Sequence, residues 1–222
     1  MRGDILERKV AEAQEAYQKG GVLVDTCALD FSPWRQSPYQ PIWNHDLDED
    51  SVTWMQRLFS ESESLLSDWT GSTIHDVYDE FKVHTDRLLY EKERIAEADT
   101  EQGRLAEEVV KKPVRLRHLV CAQSCGSSEE GLYNAYWESV KDFHNGTVSS
   151  NDRTDASLVE HAFYAAERTN EPVTILSGDK DMIQYSSLFC RATNLSPSLY
   201  NDVNIALIRH EGVHNITSKD WY

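Results

Sequence analysis

The sequence predicts an α/β fold, a three-layer arrangement with a central parallel sheet flanked by helices and a helical insertion between its halves. Three observations carry this. Two short apolar runs, Val22-Leu23-Val24 and Val173-Thr174-Ile175-Leu176, have the β-branched character of strands buried on both faces of a parallel sheet. Each runs directly into an aspartate-bearing turn, at Asp25 and at Asp179 with Asp181. Between Thr154 and Asn170, Ala156, Val159, Ala162, Phe163 and Ala166 recur at helical spacing, so the second run is preceded by a helix as a βαβ unit requires.

Taken in order, residues 4–18 place Ile5, Val10, Ala13 and Tyr17 on one helical face, and Lys19-Gly20-Gly21 ends that helix. The first strand follows. Residues 30–50 hold Pro33, Pro38 and Pro41 with Trp34, Tyr39 and Trp43, the composition of a loop whose aromatics either stack bases near the acids or plug a core edge. A helix through Val52, Met55, Leu58 and Leu65-Leu66 comes next, then a short strand or cap at Ser72-Thr73-Ile74 and a helix starting near His75 that carries Glu80. Residues 84–112 form a long mixed-charge helical stretch with a thin stripe of Leu88, Leu89, Ile95, Leu105 and Val109. The basic run from Lys111 to His118 is expected as an exposed turn and strand or as a phosphate contact through Lys111, Lys112, Arg115 and Arg117. Residues 129–143 return to helix through Leu132, Tyr136, Trp137 and Val140. The helix before the second strand is expected to open at Thr154-Asp155. Residues 185–191 are expected as a further strand and Val203–Ile208 as the last one. Residues 1–222 fit one domain, with 84–149 as the insertion within it.

The chain carries 22 basic and 38 acidic residues, a net charge of −16. Such a surface repels a polyanion over roughly a Debye length, about 8 Å at physiological salt. A nucleic-acid enzyme with this balance needs a local basic patch, a divalent metal or a basic partner. No stretch is long and apolar enough to span a bilayer, and the N-terminus lacks an apolar leader core, so the expected location is the cytoplasm, away from membranes. Four cysteines without paired zinc-type spacing fit reduced thiols there; His118, Cys121 and Cys125 lack a matching second pair.

Chemistry gathers on the acids that close buried elements: Asp25, Glu80, Asp155, Asp179 and Asp181. Parallel strands bring their C-terminal ends to one edge, where α/β sheets bind ligands. Carboxylates crowded there raise one another's pKa unless divalent cations neutralise them, and a set of hard oxygen donors suits Mg2+ or Mn2+. Two such ions about 3.5–4 Å apart can ionise water and hold both the attacking and the leaving oxygen of a phosphodiester.

The order and spacing of four segments resemble the PIN-domain ribonucleases. They are Val22-Leu23-Val24-Asp25-Thr26, Val77-Tyr78-Asp79-Glu80, Thr154-Asp155-Ala156-Ser157-Leu158-Val159 and Ile175-Leu176-Ser177-Gly178-Asp179-Lys180-Asp181-Met182. Asp76 and Asp79 compete with Glu80 for the helical acid. The resemblance covers residues 20–83 and 150–195 and leaves the insertion unmatched. It implies a PIN-like fold and a metal-dependent endonuclease acting on RNA, with the five acids as catalytic and metal-binding residues. For toxin-type members it also implies an antitoxin or other basic protein partner and a homodimer; other members are RNA-processing enzymes or catalytically silent scaffolds that act through interactions.

Competing readings fail on particular residues. A haloacid-dehalogenase phosphatase needs an acid two residues after its nucleophile, where this chain has Cys27. A Toprim-like site needs a glutamate where Asp25 stands. His210-Glu211-Gly212-Val213-His214 spells a zinc-protease signature, yet that chemistry requires a helix, and Gly212 and Val213 follow a strand-like run. As separate structural features, Asp25 would cap a turn, Asp155 a helix, and Asp179-Lys180-Asp181 would be a surface turn.

Overall fold

The computed structural model describes residues 21–29, 40–53, 55, 56, 60, 72–123, 132–193, 202–209 and 212–216. The helix expected at 4–18, Trp34 and Tyr39 of the proline-rich loop, Leu65-Leu66, Cys125, and His210-Glu211 lie outside them.

A four-stranded sheet in the order β1 (Gly21–Val24), β2 (Val173–Ser177), β3 (Val203–Arg209), β4 (Gly212–Ile216) organises the molecule. The first three strands are mutually parallel, with Val24 level with Leu176 and Ser177 level with Leu207. Val22, Leu23, Val24, Ile175, Leu176, Ile205 and Ala206 are all buried, which explains their apolar runs. Two corrections concern this end of the chain. Val203–Ile208 is not the last strand, because β4 pairs antiparallel on its far side. His214 belongs to β4, an extended strand, where the zinc-protease signature needs a helix; His210 and Glu211 lie outside the described residues. On the other edge, Ser72 makes a parallel bridge to Leu23, and Thr73 donates its hydroxyl to the Val24 carbonyl at 2.7 Å.

Short helices α1 (Thr26–Leu29) and α2 (Gln40–Trp43) follow β1. The region expected as one helical stretch through residues 84–112 is two helices, α3 (His75–Ala98) and α4 (Thr100–Gln123), folded against each other. Asp99 makes the corner: its Oδ1 accepts the N–H groups of Glu101 and Gln102 at 2.9 and 3.0 Å, capping α4. Gly103 allows the close approach, since a Cβ there would stand 2.6 Å from the Cα of Ala96. Gly103→Ala is therefore expected to cost about 1–3 kcal/mol through forced separation of the helices, despite alanine's better helix propensity. Urea unfolding measures it; an unchanged or raised midpoint would show that the hairpin yields freely.

α4 also carries the basic run, with Pro113 inside the helix, so the expectation of a turn and strand at Lys111–His118 is wrong. The helical period explains this: Leu105, Ala106, Val109, Val110, Pro113, Leu116 and Val120 turn one buried face to α3.

Helix α5 (Asn134–Phe143) leads to α6 (Ser150–Thr169), which opens earlier than the expected Thr154-Asp155. Ser149 is the N-cap, and a capping box with Asp152 fixes the start. Asp155 thus stands in the second turn, and Asn170, with φ 55°, ends the helix. After β2, residues Asp181–Thr193 form α7, where a strand was expected at 185–191. Met182, Tyr185, Ser186, Phe189 and Cys190 are buried at i, i+3, i+4, i+7 and i+8, a helical period that a glance at the apolar run 185–191 conceals. Phe163 of α6 stacks on Phe189 of α7 with ring centroids 4.8 Å apart. No helix among the described residues is long and apolar enough to cross a membrane.

Candidate functional site

The C-terminal edge of the parallel strands is the site's floor. Asp25 follows β1 directly, and its N–H donates to the Leu176 carbonyl at 3.0 Å, so the sheet ladder itself sets its backbone. Its side chain is 3% exposed. Oδ1 accepts the Thr26 N–H at 2.6 Å; Oδ2 accepts the Ser177 hydroxyl at 2.7 Å and the Cys27 thiol. Burial raises the Asp25 pKa above the usual carboxylate value, the hydrogen bonds from Cys27, Ser177 and Thr26 oppose it, and Asp179 adds to it.

Ser177, the last residue of β2, connects the two strand ends. Its Oγ donates to Asp25 and accepts the Asp179 N–H at 2.9 Å. Asp179 in turn accepts the Asp181 N–H on Oδ1 at 2.8 Å, which shapes the turn into α7. Thr26 makes the matching connection on the other side, its hydroxyl donating to Glu80 Oε2 at 3.0 Å. That contact distinguishes Glu80 from its neighbours: Asp79 is exposed, and it is Glu80 whose charge acts on Asp155.

Asp155 completes the cluster from α6 and is 8% exposed. Its pKa is pushed up to about 10, first by burial and then by Asp25, Asp179, Glu80 and Asp152. Four of the five acids, Asp25, Glu80, Asp155 and Asp179, therefore share one electrostatic neighbourhood although they come from separate segments of the chain. Asp181 sits on the outer side, at the first turn of α7; burial and Asp179 raise its pKa, while Lys180 and His144 lower it. Among the described residues no three His, Cys, Asp or Glu side chains stand already gathered to hold a metal ion. The fit to one lies in the donor chemistry: carboxylate oxygens from Asp25, Glu80, Asp155 and Asp179 suit a hard divalent cation, which would also relieve the repulsion that raises Asp155.

Cys27 was noticed in the sequence only as a missing acid. The structure places its thiol on Asp25, with the Gly178 N–H donating to its sulfur at 3.0 Å. Burial, then Asp25, push the thiol pKa well up, so it remains protonated and donates.

The four basic residues do not form one patch. Lys111 is exposed and pairs with Glu107 at 3.5 Å; Arg115 is exposed. Lys112 donates to Ser60 Oγ at 2.6 Å, and Arg117 pairs with Asp86 at 2.6 Å across the α3–α4 hairpin. Helical spacing keeps Lys111, Lys112 and Arg115 within one arc of α4 and sets Arg117 on another side.

A group that sequence reasoning missed borders the acids. Tyr185 of α7, fully buried, donates its hydroxyl to Asp152 Oδ1 at 3.1 Å and lies 2.8 Å from His144 Nε2. The Ser149-x-x-Asp152 capping spacing was the available signal for Asp152; nothing in the sequence pointed to His144 meeting Tyr185.

Comparison with protein-family models, with curated proteins and with solved structures returns no match.

Proposed function

We propose that the chain is a metal-dependent endoribonuclease on a PIN-like fold, hydrolysing RNA phosphodiester bonds at the acid cluster. The observation that supports this best is that Asp155, raised first by burial, is raised further by the charges of Asp25, Asp179 and Glu80. Acids that only capped their own turns would have no reason to meet, and each would lower its own pKa through local N–H bonds. Asp25, Glu80, Asp155 and Asp179 would hold Mg2+ or Mn2+, with Asp181 at the outer margin. A bound divalent cation supplies a water of lowered pKa and charge relief on the phosphoryl oxygens. The chain's own part is placement. Ser177 and Thr26 lock Asp25 and Glu80 in rotamers fixed by neutral hydroxyls, and the buried floor keeps bulk water from screening the charges.

The same reading takes residues 1–222 as one domain with residues 84–149, from the latter part of α3 through α5, as the insertion within it. An antitoxin or other basic protein partner would complement the acidic surface, and a homodimer is the assembly expected of a toxin-type member.

Cleavage of single-stranded RNA in Mg2+ or Mn2+ that stops with EDTA is the expected result. In the same preparation, titrating Mn2+ raises the melting temperature, because a ligand that binds only the folded state stabilises it by mass action. Cleavage undiminished by chelator removes the metal-assisted mechanism. A melting temperature indifferent to Mn2+ together with no cleavage favours a silent scaffold.

A further inference from the structure

We propose that Phe143, backed by His144, forms a base-stacking subsite for single-stranded RNA at the rim of the acid cluster; the proposal rests on the nuclease reading and names how its substrate is held. Phe143 closes α5 with its side chain 43% exposed, an aromatic ring left open to solvent on a strongly acidic chain. It meets the His144 ring edge-to-face at 4.8 Å and the Tyr185 ring at 6.3 Å. His144 is in turn held by Tyr185, and Tyr185 by Asp152, whose carboxylate also accepts the Ser149 N–H at 2.7 Å in the capping box of α6. One turn further along the same helix is Asp155. The open ring is thus tied through Tyr185 to the helix start that carries Asp155, and the shelf does not depend on a free loop.

The shelf borders the acids, since Tyr185 behind it donates to Asp152 at 3.1 Å. His144 acts on both Asp152 and Asp181, and Tyr185 lies within reach of Asp152, Asp155 and Asp181. The net charge favours an uncharged contact. A chain of net charge −16 repels phosphates, and Lys112 and Arg117 of the basic run are engaged with Ser60 and Asp86. A flat apolar face binds any unstacked base without regard to sequence and costs no counter-charge, whereas the bases of a duplex are closed to it.

Binding of a short fluorescein-labelled single-stranded oligoribonucleotide, followed by anisotropy in Ca2+ at fixed salt, tests this. Phe143→Ala and Phe143→Leu should each weaken binding about tenfold, with Phe143→Tyr close to wild type. The leucine variant keeps apolar bulk without a π face, so its loss cannot be charged to unfolding, and thermal melting of each variant checks that. The same strand annealed to its complement should bind more weakly and be indifferent to all three changes. Wild-type affinity in Phe143→Ala and Phe143→Leu, or an equal loss for the duplex, overturns the subsite. If those variants bind normally while chelator still abolishes cleavage, only the subsite falls. If wild type neither binds the oligonucleotide nor gains stability from Mn2+, the subsite and the nuclease reading fall together.

Discussion

Asp25→Asn and Asp179→Asn are each expected to lower RNA cleavage on the order of 10³-fold while the metal-free variants stay folded. Both changes remove a charge and almost no volume. In Asp179→Asn the amide oxygen still accepts the Asp181 N–H, and the Asp179 backbone bond to Ser177 is untouched, so the melting temperature without metal is expected at or above that of wild type as repulsion on Asp155 eases. Asp25→Asn differs. Ser177 and Cys27 both donate to Oδ2, and an amide nitrogen there would face two donors. The Ser177 hydroxyl can rotate to accept, but the thiol exchanges the carboxylate for the more distant Ser177 Oγ at 3.4 Å, which costs up to about 1 kcal/mol and offsets part of the relief. The double variant should be little worse than either single one, since the acids act as a unit. RNA cleavage beside thermal melting, with and without Mn2+, gives the answer. Wild-type cleavage in both variants, or unfolding of both, would make these acids structural caps.

The sheet and the acid positions were legible because buried parallel strands leave little choice of residue. Val22–Val24 and Val173–Ser177 are apolar on both faces, and an aspartate directly after such a strand must emerge at its C-terminal edge. Whether Asp25 and Asp179 are neighbours depended on β1 pairing with β2, which the run of residues alone does not specify. Local chemistry misled where two periods overlap. Tyr185–Arg191 is apolar enough for a strand, and only Met182 and Cys190 at its ends expose the helical repeat. The insertion hid its corner at Asp99 because a mixed-charge stretch has too thin an apolar stripe to mark where one helix stops. Pro113 stands inside α4, where the packed face outweighs one missing hydrogen bond. The Asp152–Tyr185–His144 group was out of reach for a different reason: it joins three elements through single polar atoms, and no periodicity encodes such a meeting.

Asp155 gives the protein a stability that falls as pH rises, and Mn2+ should flatten it. The folded-state pKa is pushed up to about 10 from an ordinary value of 3.8, so between those limits the folded chain holds a proton that the unfolded chain has released. Stability changes with pH in proportion to protons bound by the unfolded state minus those bound by the folded state, and that difference is negative here. The contribution is present in full below about pH 4 and is lost progressively toward pH 10, with a slope of at most about 1.4 kcal/mol per pH unit for one proton. Asp25 and Asp181, also raised, act in the same direction. Asp155→Asn removes its own part: urea midpoints measured without metal from about pH 5 to about pH 9 should decline less steeply than wild type, with the variant ahead at the alkaline end. Mn2+ reverses the order, since a cation favours the ionised carboxylate and binds the wild type but poorly the variant. If wild type and Asp155→Asn run parallel across pH, and Mn2+ moves neither, Asp155 is a buried acid with no part in a metal centre.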